Sequence, residues 1–152
     1  MAIQTTYPAN IRPGIAGARA NMEPVDLISR SVETVAGIGF GKVVQQGTND
    51  NGCKSDLTGM TALTYLGITM LDRGTRPETP DLFAQYESAR IMRKGVIWVQ
   101  VGEAVTPASI PTVTLATGVI GDTAVGAGVV AIPNARFDTS TAGAGLAQLR
   151  LG

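Results

Sequence analysis

The chain has 152 residues, a formal net charge of zero and only 16% charged residues, against about 25% in a typical soluble protein. It holds no His and a single Cys, Cys53, which excludes Ser-His-Asp and Cys-His catalysis, zinc sites of the His or multi-Cys types and an internal disulfide. A neutral, charge-poor chain of one-domain size favours life in an assembly and lacks the basic excess of a nucleic-acid binder.

In chain order, Met1–Thr6 carries neither a basic nor an apolar leader region, so no signal peptide is expected. The longest apolar stretch, Ala124–Ile132, covers nine residues, well under the roughly 20 that span a membrane. The expectation is a soluble protein made in the host cytosol, with no membrane partner. Residues 1–24 stand apart. Pro8, Pro13 and Pro24 break any helix, Gly14 and Gly17 add freedom, and Ile3, Tyr7, Ile11 and Ile15 are scattered apolar residues. They read either as a frayed terminus or as an extended arm whose apolar residues anchor on a neighbour. The predicted division is an arm over 1–24 and a β-domain over 25–152.

Gly and Pro punctuate short, β-branched apolar runs from Val25 onward, the signature of an all-β chain. Strands are predicted at Leu27–Val35, Ile38–Gln46, Thr64–Leu71, Val96–Val101, Thr112–Thr117, Gly128–Ile132, Ala135–Asp138 and Leu146–Leu151. Thr48–Gly52 reads as a polar turn, and Arg73–Pro80 as a loop. Asp81–Arg90 reads as one helical turn or an irregular segment, because Leu82, Tyr86 and Ala89 recur at roughly helical spacing after Pro80. The strand count suits a single jelly-roll-like or barrel domain. Residues 95–152 carry only five charged side chains, Glu103, Asp122, Arg136, Asp138 and Arg150. That segment is therefore core or interface, and Val129 within it is a candidate contact between copies.

No motif carries chemistry. Gly37-Ile38-Gly39-Phe40-Gly41-Lys42 lacks the first Gly of a phosphate loop, where Ala36 stands, and the Ser or Thr after the Lys, where Val43 stands. A tight turn explains it better. Gly126–Ala131 fits a dinucleotide fingerprint in spacing, but Pro133 follows instead of a helix. Asn49–Gly52 lacks the Asp and Glu of a calcium loop. Glu78, Asp81 and Glu87 have no spacing that makes them converge, and Cys53 reads as inert. Arg73, Arg76, Arg90 and Arg93, interleaved with Asp72, Glu78, Asp81 and Glu87, read as a solvated face or as polar contacts to a partner protein. No cofactor, metal or catalytic residue is expected.

The succession Phe40–Gly47, Leu66–Asp72, Gly95–Gly102 and Gly128–Ser140, with a last strand after it, resembles the structural cement, or decoration, proteins of tailed-phage capsids. The resemblance covers most of 25–151 and leaves the arm outside. It implies a non-enzymatic homodimer or homotrimer on the exterior of the head, clamping neighbouring major capsid protein subunits and so stabilising the shell against internal DNA pressure. Ile3, Tyr7, Ile11, Ile15, Arg73, Arg76, Arg90, Arg93 and Val129 are the expected capsid or oligomer contacts. The rival readings are a tail or baseplate β-module and a small β-barrel ligand-binding domain.

Overall fold

The computed structural model describes residues 14–152, so Ile3, Tyr7 and Ile11 lie outside the described residues. These form twelve strands and no helix: β1 (Asp26–Val32), β2 (Ile38–Gly39), β3 (Val43–Gln46), β4 (Gly52–Lys54), β5 (Tyr65–Thr69), β6 (Leu82–Phe83), β7 (Ser88–Val101), β8 (Thr112–Thr114), β9 (Ile120–Gly121), β10 (Val129–Ala131), β11 (Ala135–Phe137) and β12 (Gly145–Leu151).

Five of them close into a barrel. β1 pairs in parallel with β4 at Ser31↔Gly52 and Val32↔Cys53. β4 pairs with β3, β3 with β5 and β5 with β7. β7 returns to β1 along Asp26–Ser31. The ring leaves no unpaired strand edge among its members, which removes the main aggregation liability of a sheet. The fold is thus all-β and takes the barrel form of the two expected.

The second half of β7 leaves the barrel and starts a flanking sheet. Gly95–Val101 pairs with all of β12, and β11 lies on the other edge of β12. β9 joins β7 through the parallel pair Val101↔Ile120, followed by β8 and β10. β7 therefore runs 14 residues, up to about 46 Å of chain at 3.3 Å per residue, through both bodies. It changes partners at a bulge: Asp26 pairs with Lys94 and Leu27 with Met92, so Arg93 is skipped. Gly95 follows at φ 123°, where a Cβ would fall 2.7 Å from Val25, so only glycine fits this bend.

Side-chain alternation sorts residues into two cores. Val32, Ile38, Val44, Cys53, Phe83, Ala89 and Ile91 fill the barrel. The larger cluster, which includes Ile97, Val99, Val101, Val113, Ile120, Phe137 and Leu149, lies between the flanking sheet and the outer face of the barrel. Neighbours on β3 separate cleanly: Val44 joins the barrel core, while Val43 and its β5 partner Ile68 join the second core. Packing thus accounts for the apolar residues of segment 95–152 that lie in this core, but not for the scarcity of charge at residues 122–128, which are exposed throughout.

Three sequence readings change. The single strand expected over Ile38–Gln46 is two, β2 and β3, separated by a turn at Gly41, whose φ is 69°. The helical turn expected within Asp81–Arg90 does not form. β6 pairs with β2 instead, and Tyr86 turns the chain at φ 65° with its N–H bonded to Val32 O at 2.7 Å. Pairing of Phe83 with Ile38 overrides the weak helical spacing. The strand expected at Val96–Val101 is the far end of β7.

Candidate interaction surface

The segment preceding β1 is bound to the domain from Gly14 onward. The Gly17 N–H donates to Trp98 O at 2.7 Å, Trp98 N–H to Ala18 O at 2.9 Å and Ala20 N–H to Val96 O at 2.9 Å. Leu71 N–H in turn donates to Gly17 O at 2.7 Å. Residues 17–20 thus act as a short strap along β7. Gly17 is at φ 84°, and a Cβ there would fall 2.7 Å from Phe40 and 2.9 Å from the Leu71 nitrogen. That explains a glycine where three backbone segments converge. The far end of the strap is latched by charge. Arg150 binds both Glu23 carboxylate oxygens and also Asp138, which Arg136 approaches at 3.5 Å. The Arg150 hydrogen bond holds the Glu23 carboxyl below its ordinary range.

Beside the strap lies an open groove of about 500 Å³. Its apolar lining comes from Ile15, Phe40, Leu71, Pro77 and Pro80, and Arg73, Arg76 and Asp81 also border it. Ile15 is 62% exposed. Phe40 links this surface to the barrel core through an edge-on contact with Phe83, with ring centroids 5.2 Å apart. The groove exists because the turn at Gly41 presents Phe40, while the Pro-rich loop after β5 forms the opposite wall. Arg73, Arg76 and Asp81 make no ion pair among the described residues. Asp72 is engaged by Arg90 at 3.3 Å.

The expected contact residues are therefore divided. Ile15, Arg73 and Arg76 come together at the groove, and Arg90 reaches it through Asp72. Arg93, at the β7 bulge, lines a separate cavity of about 180 Å³ with Tyr65 and Asn134. Val129 is half-buried on β10, opposite Thr114. Sequence reasoning did not find Phe40 and Leu71, which join the groove only through tertiary folding. It also missed the exposed pair Val35 and Tyr86, 81% and 74% accessible, whose turns meet where Tyr86 N–H bonds Val32 O.

Two carboxylates brace loops elsewhere. Glu33 accepts the Thr48 and Asn49 N–H groups at 2.7 and 2.8 Å and the Asn49 side-chain amide at 3.0 Å. Glu103 accepts Asp122 N–H, Thr123 N–H and the Thr123 hydroxyl at 2.7–2.9 Å. The Asn49 backbone bond and the Thr123 hydroxyl bond are the leading reasons that the two carboxyls sit below their ordinary range. Both are engaged in bracing their loops. Burial, helped by the Glu33 charge, pushes the Cys53 thiol up to about 11, so it is a poor nucleophile. Among the described residues no cluster of Cys, Asp and Glu is placed to hold a metal ion.

A barrel fused to a sheet by one strand, with Glu33 and Glu103 bracing its loops and a partly apolar groove at its surface, has the architecture of a contact-making β-module. The chain belongs to the phage structural cement protein family: the family model described as "Structural cement protein (E217 gp24/Pam3 gp6)" matches residues 3–152. Its place is thus a structural one in a phage capsid. The fold is shared with a chain of the solved structure "The capsid of Myoviridae Phage XM1", at a TM-score of 0.72 and 15% identity, over 100% of this chain and 98% of that one. No curated protein matches significantly.

Proposed function

We propose that the protein binds the outer surface of the phage head as a homo-oligomer and bridges neighbouring major capsid protein subunits, stabilising the shell against internal DNA pressure without catalysing a reaction. The observation that carries this reading is the family match, which runs through the segment before the barrel as well as through both bodies. The physical features support it. The closed barrel is a rigid support. The groove and the exposed Ile15, Val35 and Tyr86 offer apolar anchors ringed by polar groups, the usual anatomy of an interface.

Each contact can be modest. A standard interface buries about 1,600 Å², and many copies acting together hold a shell that no single copy could. Ile15, Arg73 and Arg76 are the contact residues this reading favours, together with Met1–Pro13; the following stretch is tied to the domain through Gly17, Ala18, Ala20 and Glu23. The test is to add purified protein to heads lacking it and image them by electron microscopy. Density on the shell exterior at subunit junctions, with raised resistance of the heads to heating, is expected. Density confined to the tail, or none, overturns the reading.

A further inference from the structure

We propose that the groove at Ile15, Phe40, Leu71, Pro77 and Pro80 is filled by Met1–Pro13 of a second copy of this chain, so that two copies exchange arms. The proposal rests on the homo-oligomeric reading above and adds the surface and the occupant.

Four observations converge on it. The groove is the right kind of surface: its volume of about 500 Å³ is that of a pocket taking a few side chains, and its floor is apolar. The segment is the right kind of occupant. Its apolar residues Ile3, Tyr7 and Ile11 are spaced by four, and Ile15 continues the series. In an extended chain residues an even number apart share one face, so the segment offers one apolar face with Arg12 as its only charged side chain.

The exit point disfavours the copy's own groove. Gly14 packs against the Trp98 ring, which is not part of the groove lining, so the chain leaves on that side. Arg12 and Tyr7 each precede a proline in the sequence, a context that favours extended backbone and opposes a reversal back over Ile15. Symmetry supplies the last step. Each copy has one groove and one segment that begins beside it, so a two-fold axis satisfies both grooves at once and leaves no open end.

The experiment uses the full chain with Cys53 retained, because that thiol is buried in the barrel. A Tyr7→Cys, Arg76→Cys double variant is oxidised mildly and run on a non-reducing gel beside each single variant. Arg76 is exposed, so the change does not threaten folding. A covalent dimer in the double variant, at least tenfold above either single, is expected. In parallel, deletion of Met1–Pro13 is expected to convert the oligomer to monomer at micromolar concentration by sedimentation velocity. A link confined to one chain overturns the proposal, as does equal linking in the singles. So does an unchanged oligomer after the deletion, and so does a deletion that lowers head binding only, which would assign the segment to the shell. Failure here with full occupancy on heads leaves the cement reading standing. Dimers that do not bind heads defeat that reading instead.

Discussion

The barrel and the flanking sheet share β7 but solve the problem of the sheet edge differently. The barrel closes on itself, and its core is the smaller of the two. The flanking sheet stays open at β10 and β11 and depends on additions. The strap pairs with β7, Glu103 braces the loop after β9, and Gly126 and Val129 bond each other at 3.2 Å in both directions to tighten the turn before β10. Closure makes one body self-sufficient. The other is stabilised by added segments, of which the one preceding β1 contributes Ile15 to the groove, while Phe40, Leu71, Pro77 and Pro80 come from the connections of barrel strands. The groove sits where the two arrangements meet.

The strongest test of this comparison removes one large side chain from each core. Phe83→Ala in the barrel and Phe137→Ala in the flanking core each delete a fully buried ring. Each is expected to cost about 3–5 kcal/mol. Because β7 runs through both bodies, both variants should lower a single cooperative transition in urea. Two separated transitions in either variant would show that the bodies unfold independently.

Next comes the strap. Deleting residues 1–23 removes the four backbone hydrogen bonds of Gly17, Ala18 and Ala20 together with the Glu23–Arg150 latch. At about 0.5–1.5 kcal/mol net for each hydrogen bond, a loss of a few kcal/mol is expected. Deleting residues 1–13 alone should lower the urea midpoint less, and only by the contribution of association, so the drop should vanish at concentrations where the wild type is itself dissociated. Equal midpoints for the two deletions would mean that the strap adds nothing to the flanking sheet.

These elements also mark what the sequence made legible. The all-β class and most strand positions follow from alternation and from Gly and Pro punctuation, as at Thr64–Leu71, where β5 forms. Barrel closure does not follow, because the parallel β1–β4 contact joins Val32 to Cys53 with no local signal. Nor does the turn at Tyr86, since a bulky aromatic at positive φ contradicts residue preference. Ile15, Arg73 and Arg76 were singled out from sequence and meet at one groove. Yet Phe40 and Leu71 looked like ordinary strand residues, and Arg93 was grouped with Arg73 only by closeness in sequence. The bulge at Arg93 takes it elsewhere. Glu33 and Glu103 were invisible as braces because their partners lie 15 to 20 residues away.

A smaller effect separates the two braces by pH. Both carboxyls titrate below the ordinary Glu value of 4.5 in the folded protein. The stability each supplies is therefore present above 4.5 and is lost as pH falls through the lowered folded value. Glu33→Gln and Glu103→Gln should each melt below the wild type at pH 7, with the gap closing by pH 3. A gap that stays constant with pH would show that the charge of the carboxylate is irrelevant to the bracing.

The smallest effect tests whether each brace serves only its own body. Cys53 lies in the barrel core and on β4, the strand that follows the turn held by Glu33. Glu33 N–H also donates to Cys53 O at 2.9 Å. Loosening that turn should let β4 open locally, whereas loosening the Glu103 loop should not. Reaction of Cys53 with a soluble thiol reagent at pH 8 should thus be slow in the wild type, several-fold faster in Glu33→Gln and unchanged in Glu103→Gln. Removing the Glu33 charge also lowers the thiol pKa from its value of about 11, since that charge is one cause of its elevation after burial. Hydrogen exchange of the β4 backbone amides separates the two contributions, because it reports local opening and is blind to the thiol pKa. Equal acceleration by both variants would mean that the two bodies open together, and that β7 transmits loosening from the open sheet into the closed barrel.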